Sequence, residues 1–106
     1  MTTFRVGSLP EGAIEAAATF YAEALPGILE LLNPARPGED LVLVFPPAPH
    51  DHRGWRLAAV QDLARAAAPA RVNGVVGDDE DAIAEALGYL ERAPGVTGQL
   101  LAVGPG

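Results

Sequence analysis

Five consecutive apolar residues, LVLVF at Leu41 to Phe45, stand between the acidic pair Glu39-Asp40 and the prolines Pro46-Pro47. The run is short for a helix and rich in branched side chains, which predicts a strand. Successive side chains of a strand point to opposite faces, so a strand that is apolar throughout must be covered on both. Val72 to Val76, VNGVV, is a second strand of this kind. Between them Arg56, Leu57, Val60, Leu63, Ala64 and Ala67 recur at helical spacing, and Pro69 ends that helix. Two buried strands joined by one helix make a parallel β-α-β unit.

The rest of the chain extends this unit at both ends. Thr2 to Val6 reads as a short strand, closed by Gly7, Ser8 and Pro10. Ile14, Ala17, Ala18, Tyr21, Leu25, Ile28, Leu29 and Leu32 then mark a helix. Pro26 removes a backbone donor and crowds the carbonyl of Ala22, which predicts a kink or a restart. Asn33, Pro34, Pro37 and Gly38 close the segment. After Gly77 a third helix carries Ile83, Ala86, Leu87 and Leu90 and stops at Ala93-Pro94-Gly95. Asp78 is its expected cap, and Asp79, Glu80 and Asp81 suit the positive end of its dipole. Gln99 to Val103 is the last strand and 104–106 a tail. The expectation is one α/β domain over 1–103, with about four parallel strands and three helices in two or three layers.

Composition narrows the function. The chain has no Cys, which excludes disulfides, thiolate nucleophiles and Cys-based metal clusters. Its formal charge is −7 and every basic residue is Arg, so nucleic acid and anionic lipid are not expected partners. MTTFRVGSLPEG does not read as a signal peptide, and no apolar run nears the roughly 20 residues that span a bilayer. These features predict a cytoplasmic protein. The Lys-free, Ala-, Gly- and Pro-rich composition suggests a GC-rich bacterial genome.

Four stretches resemble the short-chain dehydrogenase/reductase family. LARAAAPARVNGV is similar to that family's passage from a helix into a strand, and VTGQLLAV to its final strand. AEALPGILELL followed by LVLVF resembles the helix and strand just upstream of the family's active site, and AIAEALGYL its last helix. The resemblance covers about 19–103 and implies a Rossmann-like fold. It also implies a Gly-rich turn for a nicotinamide cofactor, and a catalytic Tyr, Lys and Ser. Aligning Leu63 with the family's helix leucine puts Pro49 at the Tyr position and Arg53 at the Lys position. The only Ser, Ser8, is far along the chain, Tyr21 and Tyr89 lie on helix stripes, and no Gly-rich turn is present. The chain reads as a catalytically empty relative that takes no cofactor.

The candidate sites lie after the first apolar run. His50, Asp51 and His52 follow a buried strand, where ligands of open α/β sheets bind, and could hold a divalent metal or move protons. The plainer reading has Asp51 capping the next helix with both imidazoles in solvent. Phe45 and Pro47 belong to FPPAP, which is one wall of a pocket, a docking edge or simply a chain reversal. Trp55 is either a core edge or an interface anchor. The run at 78–81 lacks the spaced oxygens of a calcium loop and reads as a cap.

The expected function is therefore that of a non-catalytic oligomerising or interaction protein. Its partner would be a second copy, a dehydrogenase-like relative or another enzyme. The alternative is a small ligand-binding or metal-dependent enzyme using His50, Asp51 and His52. Strands in sequence order with right-handed crossovers place all helices on one face. The bare face would then need a partner, the N-terminal segment or a last helix that crosses over. Family dimers commonly join through the two long helices corresponding to 11–33 and 53–68.

Overall fold

The computed structural model describes residues 1–32 and 39–104. Its four parallel strands lie in sequence order: β1 (Thr2–Arg5), β2 (Leu41–Phe45), β3 (Val72–Val76) and β4 (Leu100–Ala102). Leu41, Leu43 and Phe45 stand beside Val72, Gly74 and Val76, which makes the two apolar runs the central strands. All five residues of β2 are buried. The Asn33 to Gly38 turn expected from sequence lies outside the described residues.

The first crossover is one bent helical segment. It runs through α1 (Ala13–Thr19), a π-helical turn (Phe20–Ala24) and α2 (Leu25–Leu31). Pro26 sits in the first turn of α2, where its missing N–H is tolerated. The restart expected at Pro26 takes the form of a widened turn just before it. A π turn inserts one residue into the helical repeat. Eight residues therefore complete about two turns, and Phe20 and Ile28 both face the sheet. On that face they meet Leu41, Leu43 and Phe45, together with Val60 and Leu63 of α3 (Arg53–Ala67). Phe20, Phe45 and Trp55 form a ring cluster, with centroids 5.3 to 6.1 Å apart. Each large apolar side chain fully buried here contributes about 1.5–3 kcal/mol.

The other face is covered by α4 (Glu80–Glu91). Ile83, Ala86 and Leu90 pack on Val42, Val44 and Val75. All the crossovers step across the sheet in the same direction, so α4 on the opposite face gives β3–α4–β4 the opposite hand to the other two. The expectation of helices on one face only is thus corrected. The chain covers both faces of its central strands itself, in three layers, by the route of a last helix that crosses over.

Two caps also differ from the expected ones. A 3-10 turn, His50–His52, precedes α3, so the N-cap falls on His52 and Asp51 caps nothing. For α4 the cap is Asp79 rather than Asp78, and its carboxylate accepts from the Asp81 N–H at 3.0 Å. An N-cap oxygen must reach the second or third helical amide, and only Asp79 is spaced to do so.

The two sharpest sequence patterns, 71–73 and 96–99, bond to each other. The Val72 N–H donates to Thr97 Oγ1 at 3.1 Å, and the Gly98 N–H to the Val72 carbonyl at 2.8 Å. Asn73 is buried; its Nδ2 donates to the Val96 carbonyl, and its Oδ1 accepts from the Gln99 N–H, both at 3.0 Å. Gly98 has φ +72°, a conformation that favours glycine. Gly74 is required for a different reason. A Cβ there would lie 2.7 Å from Leu100 Cδ1 and 3.1 Å from Val60 Cγ2.

Candidate functional site

The C-terminal ends of the strands carry the Pro-rich loop 46–49, and two clefts open there around the head of α3. A loop with three prolines has few amide donors to offer. Its carbonyls are therefore available as acceptors. Pro49 accepts from the His52 N–H at 3.0 Å, and Pro46 accepts from Arg56 Nη1 at 2.7 Å.

The larger cleft, about 490 Å³, lies between 8–11 and 46–49. The smaller, about 140 Å³, lies between the head of α3 and the ends of β3 and β4. Ala48, Pro49, His52 and Arg56 line both.

Arg56 is the residue that helical spacing concealed. It falls on the apolar stripe of α3 and is only 2% exposed. Its guanidinium carbon lies 4.9 Å from the Phe45 ring centroid and 5.5 Å from that of Trp55. Its Nε is buried without a partner. Burial lowers its pKa from the ordinary arginine value, because desolvation opposes the charged form. A charged residue on the core-facing stripe of a helix was the signal available in the sequence.

The His50-Asp51-His52 candidate does not converge. His50 and Asp51 are exposed, whereas His52 is 2% exposed and its Nε2 donates to the Glu11 carbonyl at 2.8 Å. Nδ1 of His52 is buried without a partner. Asp51 Oδ1 is 4.0 Å from His52 Nε2, beyond hydrogen-bonding distance. Among the described residues no group of three His, Asp or Glu side chains gathers to hold a metal ion.

The interface candidates separate as well. Phe45 is wholly buried in the ring cluster and has no surface to offer, which corrects its reading as a docking residue. Pro47 is exposed at the rim of the larger cleft. Trp55 is partly buried against the core, with its indole Nε1 buried and unpartnered. Pro49 stands in the wall of both clefts, and Arg53 reaches the Leu100 carbonyl through long contacts of 3.4 and 3.5 Å. Ser8, remote in sequence, lines the larger cleft. Tyr21 and Tyr89 are on helices and line neither cleft.

The fold and the interlocked strand motifs agree with a comparison of the chain with known families. A family model described as short chain dehydrogenase-like protein matches residues 4–103. The chain belongs to the short chain dehydrogenase-like family. No curated protein and no solved structure matches it. As a short chain dehydrogenase-like domain it carries a parallel Rossmann-like sheet, with clefts where that architecture binds ligands. Among the described residues, no helix is long and apolar enough to cross a membrane.

Proposed function

We propose that this short chain dehydrogenase-like chain is a non-catalytic domain that acts by association with a second copy of itself. The observation that carries this reading is an apolar stripe along the first helical segment. Ile14 is 84% exposed, Tyr21 44% and Leu29 52%. Seven residues separate Ile14 from Tyr21, close to two helical turns. Eight separate Tyr21 from Leu29, and the extra residue of the π turn absorbs the surplus. The three therefore share one face.

The family resemblance supports the same surface, since dimers of that family commonly join through this helix and the one corresponding to α3. The non-catalytic part rests on the alignment that puts Pro49 and Arg53 at the Tyr and Lys positions. Pro49 has no proton to transfer.

Light scattering behind size exclusion, over a dilution series, tests the proposal. The expected result is a dimer that dissociates on dilution. Its interface should bury on the order of 1,200–2,000 Å² in total. Ile14→Glu combined with Leu29→Glu should give a folded monomer. A wild-type monomer of 11.0 kDa at every concentration would overturn the reading.

A further inference from the structure

The head of α3 gathers positive charge that the chain itself does not neutralise. Arg5, Arg65 and Arg71 each pair with a carboxylate: Glu80, Asp62 and Asp40. Arg53, Arg56 and Arg92 pair with none among the described residues; Arg53 and Arg56 stand together at the head of α3 and bond only to main-chain carbonyls. Leaving them so is unusual in a chain with 14 acidic residues and seven basic ones. A buried charge without a counter-ion is strongly disfavoured. Arg56 Nε, on a side chain 2% exposed, is also without a partner. Buried donors in folded proteins are nearly always satisfied, so a missing acceptor is the natural explanation.

The helix itself adds to the field. α3 has no side-chain cap and no acidic residue in its first turn. Asp51, in the 3-10 turn before it, is exposed and accepts from no helix amide, so the end amides of the helix still favour an anion.

The smaller cleft sits at this point. Arg53, Arg56, His50 and His52 line one side of it, and Val76 and Leu100 belong to the apolar side. Its described lining contains no acidic residue. Its volume, about 140 Å³, corresponds to roughly four or five waters at the liquid volume of each. That is too small for a nucleotide.

We propose that this cleft binds a short-chain aliphatic carboxylate, with the anion held by Arg53 and Arg56 at the head of α3 and the alkyl tail against Val76 and Leu100. The fork of a guanidinium matches the two oxygens of a carboxylate. The apolar wall selects against fully hydrated anions such as inorganic phosphate.

The test is a titration of the isotope-labelled chain with butyrate, followed through its amide NMR signals. Butyramide supplies the same shape without charge, and inorganic phosphate supplies charge without a tail. Butyrate should shift the amides of 50–57 and 100–102 saturably, with Kd on the order of 1 mM for so small a ligand. Butyramide and phosphate should each bind at least roughly tenfold more weakly.

Arg53→Met changes an exposed residue, so it should fold, and it should weaken butyrate by about tenfold or more. Arg56→Lys keeps a charge but loses the fork, and should weaken it to a similar degree. No saturable shift with butyrate would overturn the proposal, as would unchanged affinity in Arg53→Met. Butyramide binding as well as butyrate, or phosphate binding more tightly than either, would overturn the carboxylate assignment.

Discussion

Arg71 grips Asp40 through both its main chain and its side chain. The Arg71 N–H donates to Asp40 Oδ1 at 2.8 Å, and Nε donates to Oδ2 at 2.9 Å. The same guanidinium turns outward to the end of α4, where Nη1 donates to the carbonyls of Leu90 at 2.8 Å and Ala93 at 2.6 Å. One side chain thus ties the approach to β2, the approach to β3 and the C-terminus of α4.

This hub predicts unequal effects from its two members. Arg71→Met keeps the main-chain bond to Asp40 Oδ1 but leaves Oδ2 of that partly buried carboxylate and two carbonyls at the end of α4 without their donor, and should destabilise by about 2–4 kcal/mol. Asp40→Asn keeps an acceptor for the main-chain N–H and should cost about 1 kcal/mol. Urea unfolding separates them, and equal losses would contradict the hub.

Asn73→Leu keeps the volume but strands the Val96 carbonyl and the Gln99 N–H. The expected loss is about 2–3 kcal/mol. At roughly 4–8 °C per kcal/mol for a chain of this size, Tm should fall by about 10 °C or more. Calorimetry checks this, and an unchanged Tm would mean that water replaces the amide without penalty.

Tyr21 has a phenol pKa raised above its ordinary value, first by burial and then by the Asp62 carboxylate. The folded chain holds this proton more tightly than the unfolded chain does. Its contribution to stability is therefore complete below the unfolded value, about 10, and is lost as pH rises from there through the raised folded value. Asp62→Asn removes the smaller cause and releases Arg65 from its pair. The phenol should titrate lower than in the parent, yet still above the ordinary value. Phenolate absorbance in a Tyr89→Phe background reads Tyr21 alone, and an unmoved titration in Asp62→Asn would refute the assignment.

Nicotinamide dinucleotides are not expected to bind with useful affinity, because the chain has no Gly-rich turn to cradle a pyrophosphate. Titrating NADH while following energy transfer from Trp55 checks this. Saturation in the low micromolar range would sink it.

The sheet was legible because β2 and β3 are apolar at nearly every position, and short helical links set neighbouring parallel strands side by side. The side taken by α4 was not. Ile83, Ala86 and Leu90 define which face of the helix is apolar, but nothing in that period says which face of the sheet it meets. Pro26 announced a break without saying that the chain would absorb it as a π turn. Asp78-Asp79 and Asp51-His52 offered adjacent capping candidates, and spacing alone could not choose between them. His52 looked polar and therefore exposed, and Arg56 fell on the apolar stripe without any sign of what its guanidinium would meet. Their burial depends on a Pro-rich loop and a distant Glu11 carbonyl that local periodicity does not encode.

The placement of α4 by itself on the second face has a consequence for how the molecule opens. The opposite face is held by two packed helical segments and a ring cluster, whereas among the described residues α4 is the one helix packed on this face. Its ties are the exposed Arg5–Glu80 pair at one end and the Arg71 bonds at the other. Amide exchange in α4 should then proceed by a sub-global opening that leaves the remainder intact. The opened form would present Val42, Val44 and Val75 as a bare strip, an aggregation hazard at high concentration. Glu80, Asp81, Glu85 and Glu91 stand exposed along α4. Like charges there make neighbouring molecules repel just where the sheet is most thinly guarded.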